Sequence, residues 1–323
     1  MRSSVTKYFA LALVLSAACA KRKEPQPREA PPPVAAAASG SGSATPADLP
    51  PPKPKEPPPY TPASDVTEPI RTAIAATDRS LDDRMLDAGR KPGEVLTFVK
   101  LAPGQKGGEL FAGGGYTTEL VARVVGDAGK VWAQNTTDIL DKFARKPWTE
   151  RAHKPVMKHV VGVERPTDDP FPPEAHDLDL VITILNYHDF IWQKADTAKL
   201  NKAVFAALRP GGIYAIVDHS AAKNSGTRDV ETLHRIDEDV VKKELLEAGF
   251  ELDGESDVLR HPDDPRDWST SPRNAGDKRG TSDRFTLRFV KPASAAPTPP
   301  HAPTNGKAKA PAKAPGKAGA KKK

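Results

Sequence analysis

The chain has 323 residues, 34 of them proline, and a formal net charge of +6. Fourteen prolines fall between residues 20 and 66 and seven between 291 and 323, so both flanks read as linkers around one domain-sized core of 224 residues. The charge divides the same way, with net +3 on residues 1–66, net +8 on 291–323 and net −5 on the core, which argues against a nucleic-acid-binding core.

Arg2 and Lys7 precede an apolar run from Tyr8 to Leu15 and the small residues Ser16 to Ala20. This is a signal-peptide pattern, too short for a permanent membrane span. Cys19 is the only cysteine, which excludes intrachain disulfides and cysteine-based metal sites. Ser16-Ala17-Ala18-Cys19 fits a lipoprotein box and Ala18-Cys19-Ala20 an ordinary A-x-A cleavage site; the sole cysteine at the end of the apolar run favours the first. The expected organisation is a signal peptide over residues 1–19, a Pro/Ala-rich spacer over 20–66, a domain over 67–292 and a Lys/Ala/Pro-rich tail over 293–323. Such a chain would be exported as a membrane-anchored lipoprotein or a periplasmic protein, and its basic tail would contact an anionic membrane or cell-envelope surface.

In the core, apolar spacing predicts one or two helices between Glu68 and Ala88 and a short one from Pro92. Glu109 to Phe111 then ends a strand, glycines 113 to 115 form a turn, and Leu120, Val121, Val124 and Val125 share one face of a helix entered at Tyr116. With a second strand over Lys130 to Gln134 this is a βαβ unit around a nucleotide-type loop. The absence of Lys-Ser/Thr after the glycines excludes a P-loop. A weaker helix is expected from Ile139 to Lys146 and a third strand over Val156 to Val163. The run Leu178 to Leu185 predicts a fourth strand buried on both faces, with Asn186-Tyr187-His188-Asp189 emerging behind it. A helix over Thr197 to Leu208, a turn at Arg209 to Gly212 and a fifth strand over Ile213 to Val217 follow, ending in Asp218-His219. Asp237 caps a further helix, and strands near Phe250 to Leu252 and Arg284 to Val290 close the domain.

GELFAGGGYTTEL, GKVWAQN, the apolar strand before NYHD, LRPGG before a strand and the closing strand pair together resemble the class I S-adenosylmethionine-dependent methyltransferase domain. NYHD, DHS, HRID and GTSDRF resemble a bacterial group described as predicted methyltransferases. The resemblance covers about residues 67 to 292. It implies a Rossmann-like three-layer αβα sandwich with a mostly parallel seven-stranded sheet, S-adenosylmethionine as cofactor, and methyl transfer to a small-molecule oxygen or nitrogen.

Carried onto this sequence, the resemblance puts Glu109 at the cofactor's amino group and Gly113, Gly114, Gly115 and Tyr116 beneath its methionine end. Phe111 stands where a first glycine is usual. Asn135 stands where a ribose-binding carboxylate is usual, which also counts against a dinucleotide. Asn186 and Tyr187 are expected at the cofactor, with Tyr187 stacking on adenine or walling the pocket. His188, His219, His234 and Asp218 are the catalytic candidates, a histidine serving as general base. A divalent metal on Asp189, Asp218 and His219 is a less favoured alternative, and hydrogen bonding to loop backbone is the plain one. The segment from His261, HPDDPRDWSTS, reads equally as a lid or as a solvated loop.

Overall fold

The computed structural model describes residues 56–293. The predicted signal peptide, most of the spacer and all but the first residue of the basic tail lie outside the described residues. Among the described residues no helix is long and apolar enough to cross a membrane.

Strands β1 (Lys106–Leu110), β2 (Lys130–Asn135), β3 (Val160–Glu164), β4 (Leu178–Ile184), β5 (Leu208–His219), β6 (Glu251–Ser256) and β7 (Arg284–Val290) form one sheet in the order β3-β2-β1-β4-β5-β7-β6. Strands β1 to β5 pair in parallel, and β7 runs antiparallel to both β5 and β6. Alternation along the central strands separates two apolar layers. Leu180, Ile182, Ile213 and Ala215 face α1 (Glu68–Ala75), α3 (Pro92–Phe98) and α4 (Tyr116–Val125). Val181, Tyr214 and Ile216 face α7 (Tyr187–Trp192), α8 (Thr197–Ala207) and α9 (Glu238–Glu247). This is the mostly parallel seven-stranded αβα sandwich that the resemblance implies.

The stretch read as one or two helices forms two, α1 and α2 (Leu81–Arg90), the second stopping where Lys91 turns left-handed at φ 43°. The sequence and the structure part in four places. Ordered packing begins before residue 67: the Tyr60 hydroxyl donates to Glu94 Oε2 at 2.6 Å and accepts from the Gly93 amide at 2.8 Å, and Val66 is buried. The expected helix at 139–146 is a one-turn α5 (Thr137–Ile139), a π-helical turn at Leu140–Ala144 and α6 (Arg145–Ala152). Strand β3 starts only at Val160 because Pro155–Met157 makes a 3₁₀ turn. Strand β5 begins at Leu208, with Arg209 to Gly212 absorbed where its register against β4 shifts between Leu178 and Leu180.

Candidate functional site

The carboxyl ends of β1, β4 and β5 lie side by side, so the residues that follow them share one edge of the sheet, where ligands of open α/β sheets bind. After β1 the chain turns through a loop that demands left-handed backbone: φ is 50° at Phe111, 56° at Gly113 and 83° at Gly115. Phe111 therefore adopts the conformation a glycine would take freely. It is held there from three sides. Its amide donates to Gln134 Oε1 at 3.2 Å, its carbonyl accepts from Asn186 Nδ2 at 3.1 Å, and its ring meets Phe190 edge-on at 4.7 Å.

Gly114 and Gly115 are needed by the protein's own helix α6. A Cβ on Gly114 would stand 3.2 Å from Pro147 Cβ, and one on Gly115 would stand 2.8 Å from Arg151 Cδ and 3.1 Å from Trp148. Arg151 Nε donates to the Gly114 carbonyl at 2.6 Å, while its Nη1 pairs with Asp83 at 2.7 Å and with Glu119. Of the three, only Gly113 would place a Cβ in open space, its nearest neighbour being the Phe111 carbonyl at 4.0 Å.

The cofactor candidates divide. Glu109 is buried and accepts hydrogen bonds from Thr118 and Thr117 on α4. Burial pushes its carboxyl up to about 7, against the hydroxyl bonds and the guanidiniums of Arg90 and Arg151, which pull it down. Tyr116 opens α4 and gives its hydroxyl to Asp87 Oδ1 at 2.7 Å. Asn135 closes on the glycine loop: its Oδ1 accepts from the Gly113 amide at 2.8 Å and its Nδ2 donates to the Gly113 carbonyl at 3.2 Å. Each end of the amide keeps a second hydrogen-bonding position. Asn186 bridges Phe111 to the Ile184 carbonyl at 2.9 Å, joining β4 to the glycine loop. Tyr187 is not a pocket wall. It is fully buried in the opposite layer, donating to Glu244 at 2.7 Å and accepting from Asn201 at 2.7 Å.

The three histidines do come together. His188 lies 6.0 Å from His219 and 5.4 Å from His234, ring centre to ring centre. Asp218 organises the group: its carboxylate accepts from the His188 amide and Nδ1, both at 2.8 Å, and from the His219 amide at 2.7 Å. Burial alone would push the His188 imidazole down; the adjacent Asp218 and Asp189 carboxylates reverse this and raise it to about 10. Burial pushes His219 well below the usual histidine range, and His188, Arg284, Arg235 and Arg90 add to the effect. Its Nδ1 meets Ser282 Oγ at 2.7 Å. Two neighbouring imidazoles are therefore driven in opposite directions, the arrangement that separates an acid from a base.

His234 returns to this edge because the chain after β5 folds back, Ile236 bridging to Ser220. The segment 261–270 fixes it and is not a free lid. Asp264 is paired with the buried Arg235 at 2.7 Å, Trp268 stacks on that guanidinium at 4.8 Å, and Thr270 Oγ1 donates to the His234 carbonyl at 2.7 Å. The alternative metal set Asp189, Asp218 and His219 is not assembled as such, since Asp218 is committed to His188 and to the His219 backbone.

Sequence reasoning missed two arginines. Arg90 and Arg284 line a narrow, largely apolar cavity of ≈ 20 Å³ with Tyr116, Leu185 and Val217. Arg90 stacks over Tyr116 at 4.5 Å and has no carboxylate partner among the described residues. Arg284 is buried, donates only to the Ser282 and Gly280 carbonyls at 3.2 and 3.0 Å besides a 3.4 Å contact with His261, and is pushed down to about 10 by burial. It still carries its charge at neutral pH. The arginine that opens the β-type run RFTLRFV was the available signal for Arg284, which the structure pairs in register with His219.

No family model matches the chain. In overall structure it is similar to a SAM dependent methyltransferase from Aquifex aeolicus, at 17% identity over 61% of this chain and 88% of that one, TM-score 0.44. It is also similar to a putative sarcosine dimethylglycine methyltransferase from Galdieria sulphuraria (14% identity, 70% and 91% covered, TM-score 0.47). A SAM-dependent O-methyltransferase from Thermotoga maritima aligns at 16% identity over 70% of this chain and 72% of that one, TM-score 0.40. Likeness at this level carries no argument about chemistry, which has to come from the site.

Proposed function

We propose that the domain transfers a methyl group from S-adenosylmethionine to an oxygen or nitrogen of a small molecule. The observation that carries this reading is a single edge of the sheet holding a buried acid, a glycine turn, two arginines without carboxylate partners and a histidine–carboxylate group. The cofactor's α-carboxylate suits Arg90 and Arg284, whose guanidiniums bond no carboxylate among the described residues. Its ammonium suits Glu109, and its sulfonium then lies toward the carboxyl ends of β4 and β5. His219, held at Nδ1 by Ser282, is the base for the acceptor's proton. Export and tethering through Cys19, and contact of the basic tail with an anionic surface, belong to the same proposal; mass spectrometry of the mature N-terminus tests the first, a diacylated Cys19 being the expected species.

One observation favours a second reading. Asn135 closes on Gly113 where a ribose would need an acceptor, and α6 fills the approach to Gly114 and Gly115. An exported domain would also lack cytosolic S-adenosylmethionine. On that reading the fold is retained as a binding module or a metal-assisted enzyme. Calorimetry of the purified protein with S-adenosylmethionine and S-adenosylhomocysteine decides between them: saturable binding is expected from a transferase, and no heat at millimolar ligand refutes it.

A further inference from the structure

We infer that His188, Asp189 and His234 form a mononuclear centre for a divalent transition metal, built from the first turn of α7 and the segment returning from β5. One ligand atom from each residue lies within 4.8 Å of the other two. His188 Nε2 stands 3.3 Å and His234 Nδ1 3.4 Å from the same oxygen, Asp189 Oδ1. Metal–ligand bonds of about 2.0–2.2 Å in a tetrahedral array put neighbouring donor atoms about 3.3–3.6 Å apart. An ordinary imidazole–carboxylate network would close to about 2.7–2.9 Å with aligned N–H groups. Here both nitrogens stand at ion-pair distance from Asp189 Oδ1, a buried oxygen that no short, aligned N–H satisfies.

The surroundings prepare these atoms as ligands. Asp218 takes His188 Nδ1 at 2.8 Å and so holds the ring with Nε2 toward Asp189, the nitrogen from which an incoming metal ion would displace the proton. A carboxylate behind a ligating histidine is the usual outer partner of a metal. His234 is fixed through its carbonyl by Thr270 and through its ring by edge contacts with His188 at 5.4 Å and Trp192 at 5.3 Å. Two imidazoles and one carboxylate suit zinc, iron(II), cobalt(II) or manganese(II), and suit magnesium or calcium poorly, since those take oxygen ligands. Three protein ligands leave coordination positions open, as in catalytic sites. The centre goes beyond the methyl-transfer reading and stands whether or not the domain binds a nucleoside.

The test is direct metal binding by the full chain, stripped with chelator and titrated with cobalt(II). One equivalent with visible ligand-field bands is expected, displaced by zinc and indifferent to excess magnesium. Asp218→Asn is expected to weaken binding by about 10–100-fold, and Asp189→Asn and His234→Gln to weaken it further. X-ray absorption of the wild-type complex needs no variant to fold and should show imidazole scattering. Absence of binding at millimolar cobalt, binding that survives both Asp189→Asn and His234→Gln, or a spectrum without imidazole overturns the proposal.

Discussion

Replacing Glu109 by glutamine isolates the cost of keeping an acid at the end of β1. The side chain is 4% exposed and its pKa is raised from 4.5 to about 7, chiefly by burial. A carboxyl whose folded pKa lies above its unfolded value binds more protons when folded, so it destabilises the fold once pH passes the unfolded pKa, and the penalty is complete above the folded one. At 1.36 kcal/mol per unit the full penalty is about 3 kcal/mol near pH 8.5, falling to about 1 kcal/mol near pH 5. Glutamine keeps the shape, and Thr117 and Thr118 can reorient their hydroxyls to its amide. Glu109→Gln is thus expected to be more stable than wild type in urea denaturation, with a gap that widens by about 2 kcal/mol between those pH values. A gap that does not change with pH refutes the assignment of a buried, largely desolvated acid. The same logic reaches the ligand: a cofactor ammonium beside Glu109 favours the carboxylate, so binding near pH 6.5 should release protons, seen as buffer-dependent heat.

Two further substitutions separate packing from binding. Gly115→Ala, at φ 83° and with Arg151 Cδ 2.8 Å from the new methyl, should cost about 1–2 kcal/mol of backbone strain plus the displacement of Arg151, whereas Gly113→Ala should cost the backbone component alone; equal melting temperatures for the two variants would contradict the packing described for α6. Arg284→Met removes a buried guanidinium without a carboxylate partner, so thermal stability should hold or rise while affinity for S-adenosylhomocysteine falls about 10–100-fold, the loss of one charge-assisted hydrogen bond; a variant with unchanged affinity places the cofactor carboxylate elsewhere.

The fold was legible because its signals are local and repeated. Leu178 to Ile184 reads as a doubly buried strand from composition alone, and Asp237 announces α9 by capping it, its carboxylate accepting from the Asp239 amide. The site was legible only in part. The sequence brings His188, His219 and His234 to one edge because each follows a strand or returns to one. It does not say which way each side chain points. Tyr187 and His188 are consecutive on α7, yet one is sealed in the α8–α9 layer and the other faces Asp218. Asn135 and Phe111 looked like isolated departures from a pattern. In the structure they are joined through the neighbouring Gln134 and through Gly113, a coupling between strands that no spacing records.

That coupling bears on what the glycine loop is for. A loop shaped only for a cofactor would leave its backbone groups facing the ligand. This one has Gly113 bonded at both ends by Asn135, the Gly114 carbonyl taken by Arg151, and the Phe111 carbonyl taken by Asn186. Those contacts tie β2, α6 and the end of β4 to the same turn, and leave Gly113 as the one glycine of the three where an added Cβ would meet open space. In the histidine–carboxylate group Asp218, Arg235 and Thr270 hold the rings and backbone in place. Preorganised side chains are therefore concentrated at the ends of β4 and β5, and the chemistry of this domain is best sought there.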